Sequence, residues 1–161
     1  LLIIFLYILF RFRKWQFSLG AVAAVFHDVL IVLSIFSVCY GIMPFSLEID
    51  QAFIAAILTI IGYSLNDTVV VFDRVREYLG MHKKREIEMV MNGALNSTLS
   101  RTINTSMTTF FVLLVIFIFG GEVIRGFMFA LMVGVLVGTY SSLFVASPIM
   151  LDTLKRKNIK E

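Results

Sequence analysis

Cysteine, proline and charge are all scarce in this chain, and each scarcity removes a class of explanation. A single cysteine, Cys39, excludes an internal disulfide and a cysteine-based metal cage. Two prolines, Pro44 and Pro148, leave no proline-rich linker, and no low-complexity segment divides the sequence. Charged residues make up only 16% of the 161 positions, against 59% hydrophobic, which excludes an ordinary soluble domain.

Long apolar runs take the place of what is missing. Residues 17–40, 51–72, 102–120 and 127–151 each reach the roughly 20 residues that an α-helix needs to cross a hydrocarbon core. Residues 1–10, LLIIFLYILF, are too short to cross and carry no charged n-region, so they read as the cut end of a further helix and not as a signal peptide. The expected fold is all-α: a polytopic membrane helical bundle of five transmembrane segments, the first truncated. A basic tail at 152–161 would follow the bundle. Within the connection from 73 to 100, Ile87, Val90, Met91, Ala94, Leu95 and Leu99 recur at helical spacing. That predicts an amphipathic helix over 82–100, lying at the cytoplasmic surface or packed on the other spans.

The net charge of +3 does not point to nucleic acid, because its positions are those of membrane-flanking loops. Arg11, Arg13 and Lys14, then Arg74, Arg76, Lys83, Lys84, Arg85 and Arg101, then Lys155, Arg156, Lys157 and Lys160 all fall on one side if the spans alternate. Arg125 alone falls on the other, with Glu48, Asp50 and Glu122. By the positive-inside rule the basic side, and with it the C-terminus, is cytoplasmic.

Small residues mark where helices approach one another. Gly126, Ala130, Gly134, Gly138, Ser142 and Ala146 stand four apart along one stripe of the last run, and Gly20, Ala24 and Asp28 repeat the spacing earlier. In lipid, close packing is a main source of helix association, so these stripes predict a tight bundle.

Ionisable side chains at membrane depth are expensive and are functional candidates by default. Asp67 lies about 9 Å inside the end of its run if that end is near Asp73. Thr59, Tyr63, Asn66, Asp67 and Arg74 share one helix face. His27 and Asp28 enter another run to a comparable depth. A third polar face, Arg101, Thr105, Thr108 and Thr109, brings an arginine within reach of Asp67 across the bundle. Two readings remain open for Asp67: a static ion pair with Arg101 that orients helices, or a proton carrier whose affinity shifts as Arg101 approaches or withdraws. His27 and Asp28 form either a structural hydrogen-bonded pair or a share of the same path; a lone His beside an Asp is not a metal site. No cofactor is implied beyond protons as a coupling ion. Arg74 and Glu77 are spaced to pair at the interface.

GYSLNDTVVVFDRVRE, Gly62 to Glu77, together with FHDVLIVLSIF and FIFGGEVIRGFMFALMVGVLVGTYSSLFVASP, resembles the SecF branch of the SecD/SecF protein-export family. That family belongs to the resistance-nodulation-division superfamily of proton-driven membrane proteins. The resemblance runs from about Phe17 to Leu151. It implies the last five of six helices of the SecF half, a bacterial cytoplasmic (inner) membrane location, SecD or a fused SecD half as partner, and assistance to polypeptides leaving the SecYEG translocon. It also implies proton transport at Asp67 and Arg101, the positions that match the family's, with Asn66, Tyr63 and Thr105 as polar neighbours. A proton-coupled relative that moves lipids or drugs is one alternative, and a purely structural subunit is another. An intramembrane aspartyl protease using Asp28 and Asp67 fits poorly: such proteases carry GxGD at the second aspartate, and this chain reads SLND.

Overall fold

The computed structural model describes residues 1–82 and 85–158, except for the side chains of Lys157 and Asn158. Lys83, Lys84 and Lys160, counted above among the basic flank, lie outside the described residues, as does the side chain of Lys157. Every regular element among the described residues is helical: α1 (Leu2–Phe12), α2 (Trp15–Cys39), α3 (Gln51–Met81), α4 (Ile87–Phe119), α5 (Glu122–Ser141), a π-helical turn (Ser142–Ala146) and α6 (Ser147–Asn158). Four helical stretches are long and apolar enough to cross a membrane: α2, α3, α4, and the continuous run from Glu122 to Arg156. The helix α1 is apolar but shorter.

Local chemistry explains the boundaries. Arg13 turns the chain from α1 into α2 in the left-handed region, φ 55°, while its N–H is held by the Leu9 carbonyl. Asp50 caps α3, its carboxylate accepting from the Phe53 N–H at 2.8 Å. The glycine pair Gly120 and Gly121 separates α4 from α5, and Glu122 then meets the positive end of the α5 dipole. The π-helical turn stands just before Pro148, whose ring crowds the carbonyl of Phe144 four residues earlier and which has no N–H to offer it.

One boundary expected from sequence is absent. No break separates 82–100 from the following span; Ile87–Phe119 is a single helix of 33 residues. Between Glu86 and Gly120 there is only one glycine, Gly93, and no proline, and the hydroxyls that might compete with the backbone bond back into the same helix. Ser97 donates to the Ala94 carbonyl and Thr105 to that of Arg101. The apolar face of the first half packs against the bundle: Met91 and Ala94 are buried in one cluster with Phe72 and Val75.

Two hydrophobic clusters fill the bundle. One gathers Ile8, Phe12, Phe17, Phe72, Met91, Ala146 and Met150, with Phe17 stacked on Phe12 and edge-on to Phe72. The other gathers Val32, Phe36, Phe53, Ile60, Ala130 and Leu131. Between these clusters stand buried polar residues: Asp28 on α2; Ser64, Asp67 and Thr68 on α3; Ser141 at the end of α5; and Ser142 at the start of the π-helical turn. Thr102 and Ser106 of α4 join them. The bundle is thus layered, apolar, polar, apolar.

Candidate functional site: a buried polar layer

Four helices contribute to the polar layer. Asp28 of α2 is 1% exposed. Its Oδ2 accepts from Ser64 of α3 at 2.6 Å and from Ser141 of α5 at 2.8 Å, and its Oδ1 is 3.1 Å from His27 Nδ1. One carboxylate therefore ties three helices together. Thr68 and Ser142 meet at 2.9 Å, and Ser106 and Thr139 at 2.5 Å, so hydroxyl pairs link α3 to the π-helical turn and α4 to α5.

Asp67 is held differently. It is 9% exposed, and Thr102 of α4 donates to Oδ1 at 3.1 Å. Its Oδ2 is buried with no hydrogen-bond partner. A bare buried carboxylate oxygen is expensive when the group is ionised, which makes this the one acid in the layer whose partnership is incomplete. Asp28, by contrast, is satisfied at both oxygens.

The other residues singled out from sequence are dispersed around this core. Arg101 is exposed, and among the described residues no ion pair joins it to Asp67. Asn66 and Thr105 are exposed as well; Tyr63 is half-buried, its hydroxyl 3.5 Å from Thr109 Oγ1. His27 is half-buried beside the Tyr140 ring. Ala130, Gly134 and Gly138 are buried and Gly126 half-buried. Gly134 faces Ile60, and Gly138 faces Ser64, so the glycine row lies directly against the α3 face that carries the site. Asp28 and Asp67 share no hydrogen bond. Each is served by its own hydroxyls, so the shared-proton dyad of an aspartyl protease is not formed. Arg74 and Glu77 pair at 2.6 Å as their spacing predicts. Among the described residues no group of three or more His, Cys, Asp or Glu is placed to hold a metal ion.

Sequence reasoning missed Thr102, Ser64, Ser141 and Thr68 altogether, and took Ser142 only as a small packing residue. Isolated hydroxyls in apolar helices carry no spacing signature. The available signal was positional, since Ser64 and Thr68 flank Asp67 on one helix and Thr102 adjoins Arg101.

A family model described as "Protein export membrane protein SecD/SecF, C-terminal" matches residues 1–156. The chain belongs to the SecD/SecF protein-export family. Within that family it is 64% identical over 156 residues to the protein translocase subunit SecF of Rhodothermus marinus, covering 97% of this chain and 50% of that protein. It is 48% identical over 149 residues to the protein translocase subunit SecDF of Brucella abortus, covering 92% of this chain and 19% of that longer protein. Its fold matches the crystal structure of SecDF from Thermus thermophilus, described as a translocon-associated membrane protein, with a TM-score of 0.84 at 42% identity, over 96% of this chain and 20% of that one. The chain thus spans about half the length of the SecF relative, and a fifth of the SecDF proteins, in the SecD/SecF family.

Proposed function

We propose that this chain is the membrane part of a proton-driven subunit that assists protein export, with Asp67 as the group that takes up and releases the proton. The observation that carries this reading is the bare, buried Oδ2 of Asp67 inside a membrane-length helix. A carboxyl so placed is served by a proton when neutral and needs a donor when charged, which is the alternation a proton-coupled machine requires. Arg101 is the mobile electrostatic partner: it stands one residue from Thr102, the donor to Asp67, and among the described residues no acid lies within salt-bridge distance of its side chain. Asn66, Tyr63 and Thr105, on the same two helices as Asp67 and Arg101, hold water near the carboxyl. His27 and Asp28 stand as a fixed clamp within the layer.

Partners follow from the exposed polar face. Asn66, Arg101, Asn104, Thr105 and Thr108 are exposed on helices of membrane length, and such groups are not left against hydrocarbon. A SecD half covers that face, a reading supported by the relatives in which both halves carry the joint name SecDF. The working complex sits in the bacterial inner membrane with the basic C-terminal side cytoplasmic, and acts on polypeptides emerging from the SecYEG translocon. Lipid surrounds the remaining apolar surface.

The test is Asp67→Asn in the full-length protein with its partner half, assayed for export driven by a proton gradient in inverted or reconstituted membranes. Loss of the gradient-dependent part with normal assembly is expected; export that keeps its gradient dependence refutes the reading.

A further inference from the structure

The end of the bundle away from the ion pair of Glu88 with Lys155 carries a cleft remote from the polar layer. Its volume is about 510 Å³, and three elements build it: Phe45 from the connection between α2 and α3, Phe117 and Ile118 near the end of α4, and Phe129 and Met132 of α5. The three rings form one wall, Phe45 standing 5.4 Å from Phe117 and 5.7 Å from Phe129, centroid to centroid.

Arg125 lines the same cleft, half-buried, and is the one basic residue between Arg101 and Lys155. Among the described residues no acid lies within salt-bridge distance of it. Glu48, Asp50 and Glu122 line a separate, smaller cleft beside Phe36 and Gly126. A partly desolvated charge without a counter-ion is costly, and a bound anion removes that cost.

The order of residues along α5 restricts what the occupant can be. Arg125 lies in the first turn; Phe129 and Met132 follow at i+4 and i+7 on the same face, so the apolar wall runs about 10 Å along the helix from Arg125. A soluble anion would satisfy Arg125 and leave the rings and Met132 uncovered. An amphiphile with an anionic head at the helix start and an apolar tail directed into the bilayer meets both. The cleft also lies away from the exposed polar face of α4: Phe117 is about 160° round that helix from Arg101, and Ile118 about 100° round it in the other sense. A partner half laid over Arg101, Asn104 and Thr105 is therefore on the other side of α4.

We propose that this cleft holds one anionic phospholipid from the leaflet at this end of the bundle, its phosphate on Arg125 and an acyl chain along Phe117, Phe129 and Met132. The guanidinium fork matches two phosphate oxygens. No acid lines the cleft to receive a headgroup ammonium, which favours a net anionic lipid over a zwitterionic one.

The experiment uses the full-length protein with its partner half, reconstituted in phosphatidylcholine vesicles with a minor fraction of phosphatidylglycerol bearing a photoreactive diazirine in one acyl chain. Labelled residues are read by mass spectrometry after illumination. Label is expected on Phe117, Phe129 or Met132. Arg125→Gln is expected to lower it roughly fivefold, in keeping with one partly exposed guanidinium–phosphate pair, while label on the exposed Phe26 and Leu30 of α2 is unchanged. Diacylglycerol with the same diazirine, which lacks the phosphate, is expected to label the cleft of the unaltered protein only at that lower level, a comparison that needs no variant. Equal cleft labelling by phosphatidylglycerol with and without Arg125, or by diacylglycerol as strongly as by phosphatidylglycerol, reduces the cleft to ordinary lipid contact and overturns the proposal. Absence of label in the cleft of the unaltered protein, with Phe26 and Leu30 labelled, means that another protein segment fills it, and overturns the proposal as well.

Discussion

Thr102 donates to Asp67 Oδ1 at 3.1 Å, while Arg101, one position earlier and about 100° round the same helix, is exposed. Hydroxyl and charge thus stand side by side in sequence but face different surroundings. Thr102→Val keeps the shape and leaves both Asp67 oxygens without a donor. We expect thermal stability in detergent to fall by about 1–3 kcal/mol. Thr102→Ser is expected to behave as the unaltered protein; a valine variant with unchanged melting would mean the bond is not made.

Ser64 and Ser141 converge on a single oxygen of Asp28. Either alanine variant leaves one donor in place, at a cost of about 1 kcal/mol. The double variant strips that oxygen completely, so its loss is expected to exceed the sum of the two by roughly 0.5 kcal/mol or more. A double-mutant cycle on melting temperature measures this, and strict additivity would show that the two hydroxyls do not share the carboxylate.

Helix spacing can be probed at two glycines. A Cβ on Gly20 would lie 2.6 Å from the Ala146 carbonyl oxygen, which is backbone and can move only with its helix. Gly20→Ala is expected to destabilise by about 1–3 kcal/mol, as overpacking does. Gly80, with nothing within 4 Å of the same atom, is the control: alanine there should be neutral or stabilising by about 0.5–1 kcal/mol. Equal effects at both positions would argue against the close contact of α2 with the π-helical turn.

Arg11 and Asp73 join α1 to α3 at 2.8 Å, but their side chains are 42% and 39% exposed. Alanine at either is expected to change stability by less than about 1 kcal/mol, and the effect should shrink as salt is added. A larger, salt-insensitive loss in a melting series would show this pair to be shielded in the complete protein.

How much of this could be read from residues alone depended on the kind of signal. Apolar length located α2 and α3 to within a few residues at their starts, because hydrophobicity is summed over about twenty positions and tolerates noise. That Asp67 and Asp28 lie in the interior of those helices followed from counting along the runs. Their partners did not, since Ser64, Ser141 and Thr102 resemble every other small hydroxyl in an apolar helix, and only the packing of α2, α3, α4 and α5 selects among them. The pitch change at Ser142 was invisible to a search for four-residue spacing, which passes through Gly138, Ser142 and Ala146 undisturbed; Pro148 was the clue. The extent of α4 was misjudged because polarity around Asn96 to Asn104 reads as a boundary, whereas backbone continuity depends on the absence of breakers.

That continuity has a mechanical meaning. An unbroken helix of 33 residues is a rod about 50 Å long, well beyond the thickness of a hydrocarbon core. Near one end, Glu88 is tethered to Lys155 of α6; close to its midpoint, Thr102 grips Asp67. A rod without a joint cannot tilt at one of these points and stay still at the other, so the Glu88 tether and the reach of the Thr102 hydroxyl to the acid are mechanically linked.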